Sequence, residues 1–375
     1  MKRTIFFLTA ALAAAFLALP SCKKSAPAAH EGGLLSEGPT GTILVDIGIP
    51  RTKSDNAVLK DYQINSVQVL VFDESGKRET DRFEALSTPV QNTTSLTVTT
   101  KTGVKTVYAV LNSPRLTESS LDRLEAHLSD LAENSATNLV MSGKNGITVT
   151  EYDKNKDSGA VPQTMTIHAK RLAAMIQLDK VTVDFRNTSL EGGTFTIEQV
   201  YLKNVVGRAP VGVSGSPATD MPLVLPDAQH TNYDNWYNKL TLQASGAPAV
   251  TFDTWTKSCS VGGTATALSR DLFAYPNKTA GDSTADTFSQ RKTRLVIKAH
   301  VTATAHTSPA VDKDTYYTFD LPVLVANNVY KIANINITML GKDDDDDDDK
   351  SLVGRITPTI TVDPWTGMTT LNYEM

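Results

Sequence analysis

Residues 41–51 have the sequence Gly-Thr-Ile-Leu-Val-Asp-Ile-Gly-Ile-Pro-Arg. Apolar side chains at every second position predict a β-strand with one buried face, because successive side chains of a strand point to opposite sides. The four residues of that face are Ile43, Val45, Ile47 and Ile49. The polar, basic segment 50–55 follows at once, and we predict an exposed loop there that proteases can reach.

The C-terminal region repeats this alternation. Apolar residues alternate with threonines over 356–362, and a second alternating run follows a turn-forming segment at 363–367. A proline in the first run lacks a backbone donor, so that strand cannot be fully paired in the centre of a sheet along its whole length. The residues of these two apolar faces are Ile356, Pro358, Ile360, Val362, Leu371, Tyr373 and Met375.

Short alternating runs with turn residues between them fill most of the remaining chain, a rhythm typical of β-sandwiches. The clearest predicted strands are 67–72, 96–100, 104–111, 164–168, 175–185, 195–205, 294–302, 316–324 and 330–339. Leucines spaced three and four apart predict one helix over 117–134. Segment 211–291 is rich in Gly, Pro, Ser and Thr, and we expect loop insertions there.

A length of 375 residues allows two compact domains. The prediction is a mainly β protein of two tandem β-sandwich domains, with one short helix in the N-terminal domain. The proposed divisions are a lipoprotein signal peptide at 1–22, a linker at 23–41, an N-terminal domain at 42–168 and a C-terminal domain at 169–375, with the last strands near 355–375.

The first 22 residues have the pattern of an export signal. Lys2 and Arg3 precede an apolar run from Ile5 to Leu19, which is too short to span a membrane. The sequence Leu-Pro-Ser-Cys at 19–22 is similar to a bacterial lipobox, in which cleavage leaves Cys22 as a lipid-bearing N-terminus. An ordinary secretory signal, with Cys22 incidental, is the alternative.

Composition and motifs argue against an enzyme and against nucleic-acid binding. The chain has two cysteines and a formal charge of −5, with seven acids in the run 343–349 and no basic patch. The calcium-like segment starting at Asp153 lacks the turn glycine and the final glutamate, and the six histidines show no metal spacing. We expect no catalytic residue, no metal and no cofactor.

Taken in order, several segments resemble one family, the fimbrillins of Bacteroidetes, which are the FimA and Mfa-like subunits of type V pili. Besides the lipobox and the strand that precedes Arg51, the segments that carry the resemblance are 67–72, 170–176 (Lys-Arg-Leu-Ala-Ala-Met-Ile), 200–205 (Val-Tyr-Leu-Lys-Asn-Val), 272–277 (Leu-Phe-Ala-Tyr-Pro-Asn) and 327–332 leading into 334–341.

The resemblance implies transthyretin-like, Greek-key sandwiches and a structural role in an adhesive fimbrium on the cell surface. It implies a precursor held at the outer membrane by lipid (palmitate among others) on Cys22 and cut by an arginine-specific protease between Arg51 and Thr52. The strand 43–49 would then leave, and the C-terminal strands of an identical or related subunit would fill its place. Host or bacterial surface receptors are the further partners that it implies.

Two features depart from the family pattern, and three alternatives to a stalk subunit stay open. Pro50 precedes the proposed cleavage site, and the aspartate run at 343–349, which we interpret as a hinge, has no family counterpart. The alternatives are a tip subunit, an anchor subunit and a non-polymerising surface lipoprotein that binds glycans through Trp236, Trp255 and Trp365. We expect an anchor to lack the processing arginine.

Overall fold

A computed structural model describes the fold of this protein. The described residues are 30–32, 38–49, 63–135, 137–151, 162–203, 205–206, 208–212, 236–237, 252–277, 293–304, 306, 309–343 and 360–364. Almost all of the regular structure in these ranges is β-strand, so the predicted mainly β fold class is confirmed, while the division into two tandem domains stays a prediction. No helix in these ranges is long and apolar enough to cross a membrane.

The strands are numbered in chain order. The first ten are β1 His30–Gly32, β2 Thr40–Gly48, β3 Gln63–Phe72, β4 Arg78–Gln91, β5 Thr93–Lys101, β6 Gly103–Leu111, β7 Leu128–Asp130, β8 Met141–Val149, β9 Gln163–His168 and β10 Lys170–Arg171. The others are β11 Ala174–Asp184, β12 Thr194–Lys203, β13 Val205–Val206, β14 Arg208–Pro210, β15 Trp236–Tyr237, β16 Phe252–Cys259, β17 Gly262–Ala274, β18 Arg294–Ala303, β19 Val311–Asp320, β20 Asn328–Ile332, β21 Ile335–Ile337 and β22 Ile360–Pro364.

Two sheets enclose the first core. One has six strands in the order β1-β4-β3-β6-β8-β10, and the other has three in the order β5-β2-β9. Their inward faces form one cluster of buried aliphatic side chains, which includes Ile43, Val45, Val69, Val107 and Ile167. Each strand therefore contributes alternate residues to the core, as in a sandwich.

Two further sheets enclose the second core. One has the order β17-β11-β20-β22 with β21 also paired to β11, and the other has the order β16-β12-β18-β19. This cluster also takes in Leu70, Phe72 and Tyr108 from the opposite face of the six-stranded sheet. The domain division after residue 168 stays a prediction; next to it, Ala169 lies in the first cluster and Leu172 in the second.

The long helix predicted over 117–134 is wrong. The structure has α1 over Leu121–Ala126, then strand β7 and a 3-10 turn over Leu131–Glu133. His127 ends α1 in an extended conformation, and the next residues pair with β14. Leu124 in α1 and Leu131 in the 3-10 turn are fully buried, whereas Leu121 and Leu128 are half-buried, so the leucine spacing marks positions in three short elements and not one face of a single helix.

The prediction of loops over 211–291 is wrong for residues 252–274, which form β16 and β17. The sequence also gave no prediction for β4, a strand of 14 residues with mostly polar side chains. The predicted strand 330–339 is divided into β20 and β21, and β19 begins and ends earlier than predicted. Edge and half-exposed strands carry weak alternation, which is why these elements were missed.

Candidate strand-exchange site

Strand β2 lies in the centre of the three-stranded sheet. It pairs antiparallel with β5 from Thr40 to Gly48 and parallel with β9 from Ile43 to Gly48. Both rows of its backbone groups therefore have a neighbouring strand, as in any central strand. Removing β2 would leave two separated strands, β5 and β9, each with an unpaired edge.

One face of β2 is fully inside the first core. Ile43, Val45, Ile47 and Ile49 have exposed fractions of 0%, 0%, 1% and 5%, whereas the residues between them are half-buried. The buried side chains that surround them come from both sheets of the sandwich; among them are Val69, Val71, Leu96, Val98, Val107, Met165 and Ile167. The four side chains thus fill an apolar groove whose walls are other strands.

The ends of β2 are held by further backbone contacts. The Ile49 amide donates to Asn92 O at 2.8 Å, and the Ala169 amide donates to Gly48 O at 2.9 Å. Gly41 passes so close to the end of β8 that a Cβ atom there would lie 2.3 Å from Thr150 O. A glycine is required at this crossing because any side chain would collide with backbone.

Strand β1 precedes β2 and lies on the other sheet. It pairs antiparallel with β4, with His30 opposite Phe83, Glu31 opposite Arg82 and Gly32 opposite Asp81. It therefore covers the edge of the six-stranded sheet. Both β1 and β2 come before Arg51 in the chain.

The C-terminal strand β22 lies at the edge of its sheet. Among the described strands it pairs with β20 alone, antiparallel, with Ile360 opposite Ile332 and Val362 opposite Tyr330. One row of its backbone groups therefore has no neighbouring strand within the described sheet. β22 therefore forms backbone hydrogen bonds to a neighbouring strand along one side, whereas β2 forms them along both.

The chain is fixed to β19 where the aspartate run begins. The Lys342 amide donates to Tyr316 O at 3.0 Å, and the Tyr316 amide donates to Lys342 O at 2.8 Å. Asp343 forms an ion pair with Lys313, and a Cβ atom at Gly341 would lie 2.3 Å from Tyr316 O. Residues 341–343, which we call the arm root, fix the start of the C-terminal segment; the sequence gave no signal for them except the glycine.

Several predicted site residues lie outside the described residues; these are Cys22, Arg51, Thr52, Ile356, Pro358, Leu371, Tyr373, Met375 and Trp365. Arg51 is two positions after Ile49, the last described residue of that segment. Trp236 lies in β15 and Trp255 in β16. The roles assigned to all of these residues stay predictions.

A charged cluster lies on the outer face of the sheet β16-β12-β18-β19. The Lys298 ammonium is 2.7 Å from carboxylate oxygens of both Glu198 and Asp314. Desolvation lowers the pKa of Lys298, but its hydrogen bonds to Asp314 and Glu198 outweigh this and the net shift is upward. Glu198, His300 and Asp314 come close enough to one another to hold an ion, but the Lys298 ammonium already forms an ion pair with each of the two carboxylates.

His300 extends this cluster along β18 and β19. Its two ring nitrogens each lie 3.0 Å from a carboxylate oxygen, of Asp314 and of Asp312. The hydrogen bond to Asp314 raises the pKa of His300, and the hydrogen bonds from Lys298 and His300 lower the pKa of Asp314. These are mutual shifts within an exposed ion-pair network, and nothing in it is arranged as a nucleophile with its base.

The family comparison matches the N-terminal part of the chain. Residues 45–175 match the family model described as "Major fimbrial subunit protein (FimA)". The match begins inside β2 and ends inside β11, so it covers most of the first core. The resemblance to the fimbrillins is confirmed. This family is a structural one rather than a family of enzymes.

Solved structures of Bacteroidetes proteins share the fold. A putative cell adhesion protein from Parabacteroides distasonis has a TM-score of 0.60 at 15% identity, over 87% of this chain and 100% of that one. Another from the same species has a TM-score of 0.55 at 18% identity, over 88% and 99%. A fimbrilin (fimA) from Porphyromonas gingivalis has a TM-score of 0.52 at 17% identity, over 88% and 99%. No protein of curated function matches the sequence.

Proposed function

We propose that the protein is a structural subunit of a type V pilus, most simply a stalk subunit. It is exported as a lipoprotein through the periplasm to the outer membrane and cut after Arg51. It then polymerises by donor-strand exchange into adhesive fimbriae. The family match over residues 45–175 and the adhesion-protein neighbours support a pilus subunit. The observation that carries the exchange mechanism is the central position of β2.

Loss of β2 creates a strong acceptor site. Burial of four aliphatic side chains contributes roughly 6 to 12 kcal/mol, at about 1.5 to 3 kcal/mol each, before the cost of ordering the strand. Two unpaired strand edges add backbone hydrogen bonds for any strand that enters. While β2 is in place, the subunit's own chain blocks this site, which prevents premature assembly.

The C-terminal segment is suited to be the donor. Its strand β22 has one neighbour among the described strands of its sheet, so moving it into the vacated position between β5 and β9 adds a second ladder. From the arm root at Asp343 to Ile356 a fully extended chain reaches at most about 43 to 47 Å. The arm can therefore leave its own sheet while its root stays on β19.

Head-to-tail insertion makes a filament. The donor segment and the acceptor groove are different surfaces of one subunit, so the contact is heterologous and continues without closing. Cleavage after Arg51 leaves residues 52–375 and removes five basic and three acidic side chains, which changes the formal charge from −5 to −7. The mature filament thus carries a net negative charge at every repeat.

Limited digestion of the purified precursor tests this proposal. An arginine-specific protease should cut at Arg51, give a new N-terminus at Thr52, and produce ladders of higher oligomers on size-exclusion chromatography. The Arg51→Ala precursor is the matched control, and it should stay monomeric under the same digestion. Cut subunits that stay monomeric would contradict the proposal and would favour the glycan-binding lipoprotein; a precursor that resists cutting would favour an anchor.

A further inference from the structure

Residues 30–49, the part of the precursor that carries β1 and β2 and that we call the leader, occupy two positions in the N-terminal sandwich. Besides the central position of β2, strand β1 covers the edge of β4 at Asp81, Arg82 and Phe83. Both strands precede Arg51, so cleavage there releases them together. The mature subunit is therefore left with an open groove and, on the opposite sheet, an open edge.

We propose that two segments of a neighbouring copy take both positions: residues 356–362 enter the groove, and residues 371–375 pair with the edge of β4. The donor runs in the opposite direction to the leader. This inference rests on the proposed function and adds a second contact and a polarity to it. The β4 edge is thus an acceptor site for the last alternating run of the sequence.

The spacing of the two segments supports this pairing. In the leader, seven residues, 33–39, separate β1 from β2. In the C-terminal segment, eight residues, 363–370, separate the two alternating runs. The leader has its short strand first and its long strand second, whereas the C-terminal segment has the long run first. Only a donor that enters in reverse brings each run to the position of matching length.

The backbone of the groove accepts either direction. Because β2 is antiparallel to β5 and parallel to β9, a strand of the opposite direction also has one antiparallel and one parallel neighbour. The two directions therefore have the same kinds of ladder. In the reversed donor, residues 371–375 run parallel to β4.

Charge at the β4 edge favours the same segment. Arg82 donates from Nη1 to Thr97 O at 2.8 Å and its Nη2 lies 4.0 Å from Glu84 Oε2, while its buried Nε has no hydrogen-bond partner among the described residues. In the precursor, Glu31 stands opposite Arg82 in register. Residues 371–375 contain one charged residue, Glu374, and opposite charges on neighbouring strands stabilise a pair. Glu374 of the incoming copy takes the register position that Glu31 holds opposite Arg82 in the precursor.

Disulfide trapping tests the second contact, in a Cys259→Ser background that removes the free cysteine of the described residues. The pair Glu31→Cys with Arg82→Cys should form an intramolecular disulfide in the precursor, which calibrates the β4 position. In assembled filaments, Arg82→Cys with Glu374→Cys should give disulfide-linked ladders under mild oxidation. The matched control, Arg82→Cys with Tyr373→Cys, places the second thiol on the opposite face and should give none.

A second cysteine pair, placed in the groove, distinguishes the proposed donor-strand exchange from the proposed second contact at β4. Thr166 lies opposite Asp46 on the outer side of β9, so Thr166→Cys with a cysteine at 357, 359 or 361 should also cross-link in filaments. If the groove pair gives disulfide-linked oligomers and the pair Arg82→Cys with Glu374→Cys gives none, the second contact is overturned and donor-strand exchange stands. Absence of both, with no filaments, would overturn the proposed function.

A deletion gives a measurement that needs no cysteine. Subunits that lack residues 371–375 should still be cut and still form filaments, because the groove is filled by 356–362. Those filaments should dissociate at a lower guanidinium concentration than the full-length ones. Equal midpoints for the two kinds of filament would overturn the second contact.

Discussion

Strands β2 and β22 have the same alternating pattern but different places in their sheets. β2 lies between two strands with one face fully buried in the first core, whereas β22 lies at an edge with β20 as its neighbour. The stabilisation that a strand provides depends on its neighbours as much as on its own residues. The difference gives the proposed exchange its direction, from an edge position to a vacated central one.

The largest expected effect comes from placing the same charge in each strand. Val45→Asp buries an unpaired carboxylate at a position with 0% exposure, so the precursor should lose about 4 kcal/mol of unfolding free energy or more. Val362→Asp changes an edge strand and should cost the monomer about 1 kcal/mol. Urea unfolding of both precursors measures these values.

In an assembly assay, Val362→Asp should have a larger effect than Val45→Asp, which is the reverse of their order in unfolding free energy. Val362→Asp subunits should be cut normally but fail to polymerise, because the donor then carries a charge into the groove. Leu44→Asp is the control for Val45→Asp, since it puts the same charge on the half-buried face of the same strand. If Leu44→Asp and Val45→Asp are equally destabilised, the contrast between the two faces of β2 is wrong.

The sequence predicted those features of β2 and of the C-terminal segment that depend on local residue pattern. The alternation over 43–49 and 356–362 is visible without a structure because the side-chain period of a strand is two. The neighbours of each strand depend on the tertiary fold: β9, more than a hundred residues after β2, could not be assigned to it from the sequence. β4 and β17 were missed because strands at or near a sheet edge keep many polar residues.

The predicted helix over 117–134 shows a second limit. A spacing of three and four is satisfied by α1, but Ser129 is drawn instead into β7, where its hydroxyl lies 2.9 Å from the Tyr275 hydroxyl. That tyrosine is 146 residues away, so local propensity gave no sign of it. The arm root was likewise invisible, because its partner Tyr316 is set by the packing of β19.

Substitution of two glycines, one in β2 and one in the arm root, should have effects of intermediate size. A Cβ atom at Gly41 in β2 or at Gly341 in the arm root would lie 2.3 Å from a backbone oxygen, whereas one at Gly48 would lie 3.7 Å from its nearest atom, His168 Nδ1. Gly41→Ala and Gly341→Ala should each cost about 1 to 3 kcal/mol, because backbone must move to remove the overlap. Thermal unfolding of the three alanine variants measures the costs, with Gly48→Ala as the control.

The two alanine variants should differ in assembly. Gly41→Ala disturbs the start of β2, so the uncut precursor should bind more of a hydrophobic dye, and cleavage should restore normal filaments because residue 41 leaves. Gly341→Ala disturbs the root of the donor arm and persists after cleavage, so its filaments should be shorter. Filaments of normal length from Gly341→Ala would show that the arm does not need a fixed root.

The smallest expected effect tests the outer face of β19, the strand that holds the arm root. The hydrogen bond to Asp314 raises the pKa of His300 in the folded state, so protonation of His300 stabilises the fold. That contribution is complete below the unfolded pKa of about 6.5 and is lost as the pH rises through the folded value. Asp314 has a lowered pKa, so its own contribution is lost only as the pH falls far below this window. Because His300 and Asp314 are both more than a third exposed, the change should be about 0.5 kcal/mol or less.

The measurement is the difference in Tm between about pH 5.5 and pH 8.5, where histidine is the side chain that titrates without a large shift. Wild type should lose slightly more stability over this interval than His300→Gln, which keeps a polar side chain but cannot become charged. A larger loss in His300→Gln would contradict the assigned sign. Since the ion pairs lie on an exposed face, the filament should keep its stability over the same interval: its main contacts, in the groove left by β2, are apolar and do not titrate.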